Sequence, residues 1–145
     1  LLSFERIYLG SPRLSAYAFS RLKQLAERMG VWEDAVFQDT YAKLRLDLED
    51  LKSLYGVFVD KVRRGETLGP DVSMLKVFQT ELFQRITDTM LEICGENAGL
   101  LDPMEGNRNL NPTGLYIQAR PSTIYGGSNE IQRNIISKNV LALPG

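Results

Sequence analysis

Histidine is absent from these 145 residues, and its absence excludes more than any single residue present could. With no imidazole there is no Ser-His-Asp or Cys-His nucleophile system and no His-containing zinc or haem site. Acid-base chemistry has to fall to carboxylates, Lys or Tyr. Cysteine is nearly absent: Cys94 stands alone, so neither an internal disulfide nor a Cys-x-x-Cys pair can form, no metal site is expected, and a reducing compartment is the expectation. An excess of charge is lacking as well. Seventeen Lys and Arg face 18 Asp and Glu, a formal net charge of -1, which leaves no electrostatic case for nucleic acid. No apolar run approaches the roughly 20 residues that a membrane span needs, and no basic segment leads into an apolar one as in a signal peptide. An initiator Met is missing too, and the chain opens on Leu1-Leu2, so it reads as a piece of a longer protein.

What is present is ordinary globular composition, 43% hydrophobic and 24% charged, in a length that suits one domain. Periodicity carries the fold. From Phe37 the apolar positions run Phe37, Tyr41, Leu44, Leu48, Leu51, Tyr55, Phe58 and Val62, with spacings alternating four and three, which predicts a helix of about 40 Å. Asp39, Lys43, Asp47, Asp50 and Lys52 fall on its wet side. The regular spacing favours nearly parallel or antiparallel neighbours. Arg63-Arg64-Gly65 ends this helix, and Gly69-Pro70-Asp71 starts the next, whose inward face is Leu75, Phe78, Leu82, Ile86, Met90 and Ile93. Lys61, Arg63 and Arg64 are balanced by Asp60 and Glu66, as at a solvated helix end. Upstream, Leu14, Ala18, Leu22, Leu25 and Met29 mark an earlier helix closed by Gly30, with Pro12 in its first turn or kinking it, and Phe4 to Leu9 reads as helix too.

Between Gly95 and Gly127 the pattern fails. The stretch is rich in Gly, Pro and Asn, with one short helical turn near Leu115, and a connection of about 30 residues is long for a compact domain. Ser128 then caps a last helix carrying Glu130 in its first turn and Ile131, Ile135, Ile136, Val140 and Leu143 along it. The expected fold is all-α, an up-and-down four-helix bundle with a long irregular connection before the last helix.

Three places could carry chemistry. In Ser3-Phe4-Glu5-Arg6 a carboxylate lies among Leu1, Leu2, Phe4, Ile7 and Tyr8, and apolar surroundings raise a carboxylate's pKa toward that of a usable base. The plainer alternative is a helix-start Glu paired to Arg6. In Tyr125-Gly126-Gly127-Ser128-Asn129-Glu130 two glycines enter a helix N-terminus and expose N–H groups to an anion or a polarised carbonyl, or simply make a structural joint. Gly95-Glu96-Asn97 is a third turn open to a ligand, or a plain C-cap.

Read as a whole, Ile124-Tyr125-Gly126-Gly127-Ser128-Asn129-Glu130-Ile131-Gln132-Arg133-Asn134-Ile135-Ile136 resembles the C-terminal signature of acyl-CoA dehydrogenases, Ile-Tyr-Glu-Gly-Thr-x-x-Ile-Gln-Arg-x-Ile, which opens the last helix of a C-terminal four-helix bundle. Arg120 fits the Arg that usually precedes this segment, and Phe4-Glu5-Arg6 fits the start of the bundle's first helix. The resemblance implies that residues 1–145 are the C-terminal helical domain of an enzyme whose N-terminal helical and middle β-domains lie outside this chain. It implies FAD between the middle domain and the bundle, an acyl-CoA thioester oxidised to the 2-enoyl thioester, an electron-transferring flavoprotein as partner, and a homo- or hetero-oligomer in the cytoplasm or the mitochondrial matrix.

In many members the base is the Glu of Ile-Tyr-Glu-Gly, a position held here by Gly126. A subgroup resembling isovaleryl-CoA dehydrogenase carries its base on the first bundle helix, at the position of Glu5. The resemblance thus implies Glu5 as base, with the Gly126 N–H polarising the thioester carbonyl. It further places Ser3, Phe4, Arg6 and Tyr125 toward the substrate, Ser128 and Glu130 beside FAD, and Gly95 and Glu96 beside the FAD of a neighbouring subunit. Two departures stand out. The family's Arg-x-x-Phe-Gly segment is absent from Trp32 to Tyr41, and Glu96 sets a negative charge where a pyrophosphate approaches. The missing segment favours the alternative function, a non-catalytic scaffolding bundle of a heteromeric dehydrogenase, and Glu5 opposes it.

Overall fold

A computed structural model describes residues 2–144; the side chains of Leu2, Ser3, Phe4 and Arg6 lie outside the described residues. The helices are α1 (Leu2–Leu9), α2 (Arg13–Arg28), α3 (Ala35–Arg63), α4 (Ser73–Cys94), α5 (Pro112–Ala119) and α6 (Asn129–Asn139), with short 3-10 turns at Pro70–Val72, Gly95–Gly99 and Arg120–Thr123. No strand occurs among the described residues. The four expected helices are α2, α3, α4 and α6, and the all-α bundle stands.

Local chemistry sets the boundaries. Pro12 sits just before α2, where its missing N–H costs nothing, and Gly30 closes the helix at φ 71°. Asp34 caps α3, its carboxylate accepting the N–H groups of Val36 and Phe37 at 2.9 Å each. Along α3, Phe37, Leu44, Leu48, Leu51 and Phe58 are buried, while Asp47 departs from the expected wet side: it is half-buried and pairs with Arg85 of α4. Lys61 pairs with Asp71 beside the link. Stepping back along α3 therefore steps forward along α4, so the two are antiparallel.

Central to the bundle is α4, which packs against α1, α2, α3, α5 and α6. Leu75, Leu82, Ile86 and Met90 are fully buried on it and meet Leu22, Leu25 and Leu51 from α2 and α3. Because partners surround α4, its buried positions are not confined to one stripe: Ser73, Lys76, Gln79, Thr80 and Thr87 are buried as well.

Two expectations are corrected. The connection after α4 is not irregular throughout. Asn111 caps α5 by accepting the Gly114 N–H at 2.7 Å, Pro112 fills the first helical position, and the segment is tied to α4 by Gln84, which donates to the carbonyls of Ala119 and Arg120 at 3.2 Å. The last helix also stops short of its expected extent, and its apolar residues do not make its buried face. Its buried residues are polar, Asn129 and Gln132; Ile135 and Ile136 are half-buried; Ile131 is exposed, and Val140 and Leu143 lie exposed past the helix end at Asn139.

Candidate functional site

The turn between α5 and α6 is built on two left-handed glycines, Gly126 at φ 62° and Gly127 at φ 86°. Only glycine adopts that pair without strain. Gln132 donates to the Gly126 carbonyl at 3.0 Å and so fixes the turn from inside. The Gly126 and Gly127 N–H groups find no acceptor among the described residues, and both glycines are exposed. Two donors at a helix N-terminus are thereby left open to a ligand.

Directly over this turn lies α1. A Cβ built on Gly126 would overlap Leu9 Cδ1 and stand 3.5 Å from Glu5 Oε1, so the Glu5 carboxylate lies in contact with the place where a side chain at position 126 would begin. Glu5 is solvent-exposed in this chain, as is Tyr8. The apolar enclosure expected around the carboxylate is therefore not supplied by the described residues, and Leu1 and the side chains of Leu2 and Phe4 lie outside them. The side chains of Ser3, Phe4 and Arg6, the expected substrate contacts, also lie outside the described residues, and their backbone belongs to α1.

Tyr125 leads from the turn into a cleft of about 490 Å³. Tyr8, Leu9, Tyr17, Gln79, Phe83 and Ser122 share its walls. That volume suits a small organic group rather than an ion or a water.

Ser128 holds the N-cap position of α6 in extended geometry, yet its hydroxyl accepts no N–H of the first turn. The expected capping role passes to Glu130. The Ser128 hydroxyl and the residue's own backbone N–H hold the Glu130 carboxyl below its usual range. A carboxylate at the helix start answers the open donors there as a capping hydroxyl would. Gly95 and Glu96 are exposed at the far end of α4, about 28 Å along the helix from Lys76. The structure thus gathers Glu5, Tyr125, Gly126, Ser128 and Glu130 at one end of the bundle and leaves Gly95 and Glu96 at the other.

Beneath the turn is a polar cluster that periodicity did not reveal. Lys76 is fully buried on α4, and its ammonium donates to the Thr123 carbonyl at 3.0 Å and to Asn129 Oδ1 at 2.7 Å. Asn129, itself buried, also donates to Glu81 Oε1 at 3.1 Å, and Glu81 pairs with Arg133. One lysine therefore ties both flanks of the glycine turn to the central helix. The signal was a cation on a helix buried all round, where an unpaired charge is costly.

Burial pushes the Lys76 ammonium down, against the pull of the Glu130 and Glu81 carboxylates. Below that lowered value the folded and unfolded chains both hold the proton and the fold bears the cost of a buried charge. Between it and the unfolded value near 10.4 only the unfolded chain is protonated, so stability from this group rises with pH across that window. Lys76→Met removes the titration. Urea midpoints measured from about pH 8 to about pH 10 should climb less in the variant than in wild type; equal slopes would show that Lys76 titrates alike in both states.

No group of His, Cys, Asp and Glu among the described residues could hold a metal ion, and no helix among them is long and apolar enough to cross a membrane. Comparison with known proteins adds the remaining findings. The family model described as acyl-CoA dehydrogenase, C-terminal domain, matches residues 2–141. Acyl-CoA dehydrogenase IpdE1 of Mycolicibacterium smegmatis is 31% identical over 145 residues, which is 99% of this chain and 35% of that protein. IpdE1 of Mycobacterium tuberculosis is 30% identical over 99% of this chain and 36% of its own length. The chain thus spans about a third of the curated relatives it matches. Among solved structures, the Tcur3481-Tcur3483 steroid ACAD superposes with a TM-score of 0.82 at 25% identity, over 99% of this chain and 38% of that one. The ChsE4-ChsE5 complex from Mycobacterium tuberculosis does so with 0.59 at 26%, over 93% and 36%.

Proposed function

The chain belongs to the acyl-CoA dehydrogenase family as its C-terminal helical domain, and from that premise we propose that it forms the base-bearing wall of an active site that oxidises an acyl-CoA thioester to the 2-enoyl thioester. The carrying observation is the position of Glu5 Oε1 over Gly126, 3.5 Å from where a Cβ there would stand. A carboxylate on the first helix occupies the space that a side chain from the glycine turn would otherwise enter. Glu5 takes the α-proton. The Gly126 N–H, with no acceptor of its own among the described residues, donates to the thioester carbonyl and favours the enolate-like charge that develops as the proton leaves. Tyr125 and the cleft behind it receive the acyl group. The substrate and the domains outside this chain supply the desolvation that the exposed Glu5 lacks here.

Members of the family are flavoproteins, and FAD when bound accepts the hydride from the β-carbon and passes electrons to an electron-transferring flavoprotein. The turn fits such a group in one respect and restricts it in another. Its open N–H groups suit an acceptor oxygen. The Glu130 carboxylate at the same helix start suits a hydroxyl or amino donor of the nucleotide, not its phosphates. Ser128 and Glu130 are assigned to such donor groups, and Gly95 and Glu96 to a neighbouring subunit's nucleotide. Ser3 is assigned to the CoA side of the substrate, Arg6 to anchoring the substrate and Phe4 to the depth of the acyl pocket.

The similar structures are named as paired subunits, which supports a heteromeric assembly, and the bacterial relatives favour the cytoplasm over the mitochondrial matrix. The missing Arg-x-x-Phe-Gly segment keeps the scaffolding alternative as a second reading. Anaerobic mixing separates the two. The full-length protein, with its second subunit where one co-purifies, should hold FAD and lose flavin absorbance on adding acyl-CoA. A complex that bleaches with this subunit's Glu5 replaced, as fast as with it intact, would place the base elsewhere and leave this chain the scaffold. Residues 1–145 alone should be colourless, since most of the nucleotide's surroundings lie outside them.

A further inference from the structure

The loop that presents the Gly126 N–H has no hydrocarbon anchor of its own. Ile124 and Tyr125 are 66% and 60% exposed, and Gly126 and Gly127 carry no side chain to bury. Its place over the bundle therefore rests on hydrogen bonds, and the two that close its base share one atom. Lys76 Nζ donates to the Thr123 carbonyl at 3.0 Å, three residues before Gly126, and to Asn129 Oδ1 at 2.7 Å, three residues after it. An ammonium suits this place, because it offers several donors at once and makes charge-assisted bonds to neutral oxygens.

The lysine belongs to a ridge. One turn further along α4, Thr80 Oγ1 accepts the Asn129 amide at 3.0 Å; after another turn Gln84 holds the Ala119 and Arg120 carbonyls, and after a third Asp88 pairs with Arg120 at 2.9 Å. Positions 76, 80, 84 and 88 recur at the four-residue spacing of one helix face, and each grips the segment between α5 and α6 or the end of α5. Lys76 is the member that holds both sides of Gly126. It is 0% exposed, so it touches neither substrate nor nucleotide. Stability does not account for it either, since a hydrocarbon of similar length avoids the cost of a buried charge.

We propose that Lys76 is a positioning residue for the dehydrogenation, clamping the loop on both sides of Gly126 so that its N–H meets the thioester carbonyl while Glu5 meets the α-proton. This rests on the dehydrogenase reading above. Releasing the clamp leaves the Gly126 donor in the chain but out of place. A misplacement of about 1 Å costs on the order of a hundredfold, close to the loss of an oxyanion donor outright. Because that donor serves the charge that develops as the proton leaves, the loss falls on kcat and spares KM.

The test uses the full-length flavoprotein, with its second subunit where one co-purifies. Wild type is compared with Lys76→Met, with Lys76→Met/Asn129→Leu, in which both ends of the bond become hydrocarbon, and with Leu51→Ala, a core truncation on α3. Octanoyl-CoA and cyclohexylpropanoyl-CoA report anaerobic flavin bleaching and turnover. Acetoacetyl-CoA reports the donor itself: a base removes its C2 proton and leaves an enolate, with no electron passed to the flavin, and enolate absorbance is titrated against pH. Lys76→Met should lower kcat about ten- to a hundredfold with KM within about twofold, and should weaken enolate formation by a similar factor. The double variant should lose no more than Lys76→Met, because both changes release one clamp. Leu51→Ala should lower Tm and keep the wild-type bleaching rate within a few fold. Wild-type kcat and enolate formation in Lys76→Met overturn the inference. So does a loss confined to KM, or a loss that Leu51→Ala reproduces at the same Tm. Failure of both Lys76 variants to fold would make the lysine a stability residue and overturn it as well. If neither thioester bleaches the wild-type flavin, the dehydrogenase reading itself fails, and the inference with it.

Discussion

Glu5→Gln in the full-length flavoprotein should keep its FAD and bind acyl-CoA with little change, yet lose at least about two decades of kcat. General-base catalysis by a positioned side chain contributes about a hundred- to ten-thousandfold, and an amide of the same shape cannot accept the proton. The loss should fall on kcat and on kcat/KM alike, because proton abstraction belongs to the transition state and not to ground-state binding. Rapid mixing under anaerobic conditions isolates the step through the rate of flavin bleaching. The Glu5 side chain is exposed in this chain and makes no hydrogen bond within the described residues, so the substitution has little to disturb in the fold. Bleaching at the wild-type rate would make Glu5 a helix-start residue stabilised by the α1 dipole, and the base would then belong to another domain or subunit.

Where the helices lie was legible because α2 and α3 each bury one face. The four-three spacing from Phe37 to Val62 maps onto residues that are buried or half-buried throughout. The central helix was harder for the converse reason. Surrounded by five neighbours, α4 buries Lys76, Gln79 and Thr80 beside its hydrocarbons, and a one-face pattern cannot register polar residues that are satisfied or used from other sides. Its inward face was assigned through Phe78, which is half-buried, when the fully enclosed neighbour is Gln79. The α5 helix carried its own notice in Asn111-Pro112, an N-cap followed by Pro at the first helical position, hidden within a stretch otherwise rich in turn residues.

The candidate site was legible in parts and not as a whole. Two glycines before a capped helix can be read as an anion-binding turn from pattern alone, and the structure shows donors there with no acceptor among the described residues. That Glu5 stands over Gly126 could not be read from spacing, since nearly the whole chain separates them; family resemblance implies the pairing and the fold brings the two together. The Lys76 and Asn129 contacts that hold the turn were invisible for the same reason. They join residues distant in sequence whose chemistry, a cation and an amide, looks like ordinary surface until burial is known.

Gly126→Ala should leave the bundle folded while lowering kcat by about a hundredfold. At φ 62° a side chain costs about 1 to 2 kcal/mol, which a domain of this size tolerates. The larger consequence is positional. The added Cβ overlaps Leu9 Cδ1, so the Leu9 side chain has to turn or carry α1 with it, and Glu5 Oε1, in ordinary contact at 3.5 Å, rides on the same helix. A displacement of about 1 Å in a catalytic group costs on the order of a hundredfold. The backbone N–H survives the substitution, so a loss of this size cannot be charged to a missing donor. Two further variants apportion it. Leu9→Ala opens the space that the new methyl needs, and in that background Gly126→Ala should recover the part of the loss that arises from crowding. In a Glu5→Gln background Gly126→Ala should cost little more, because residues that act as one unit are not additive. An undiminished hundredfold loss on top of Glu5→Gln would show that the glycine acts on the substrate carbonyl independently of the carboxylate above it.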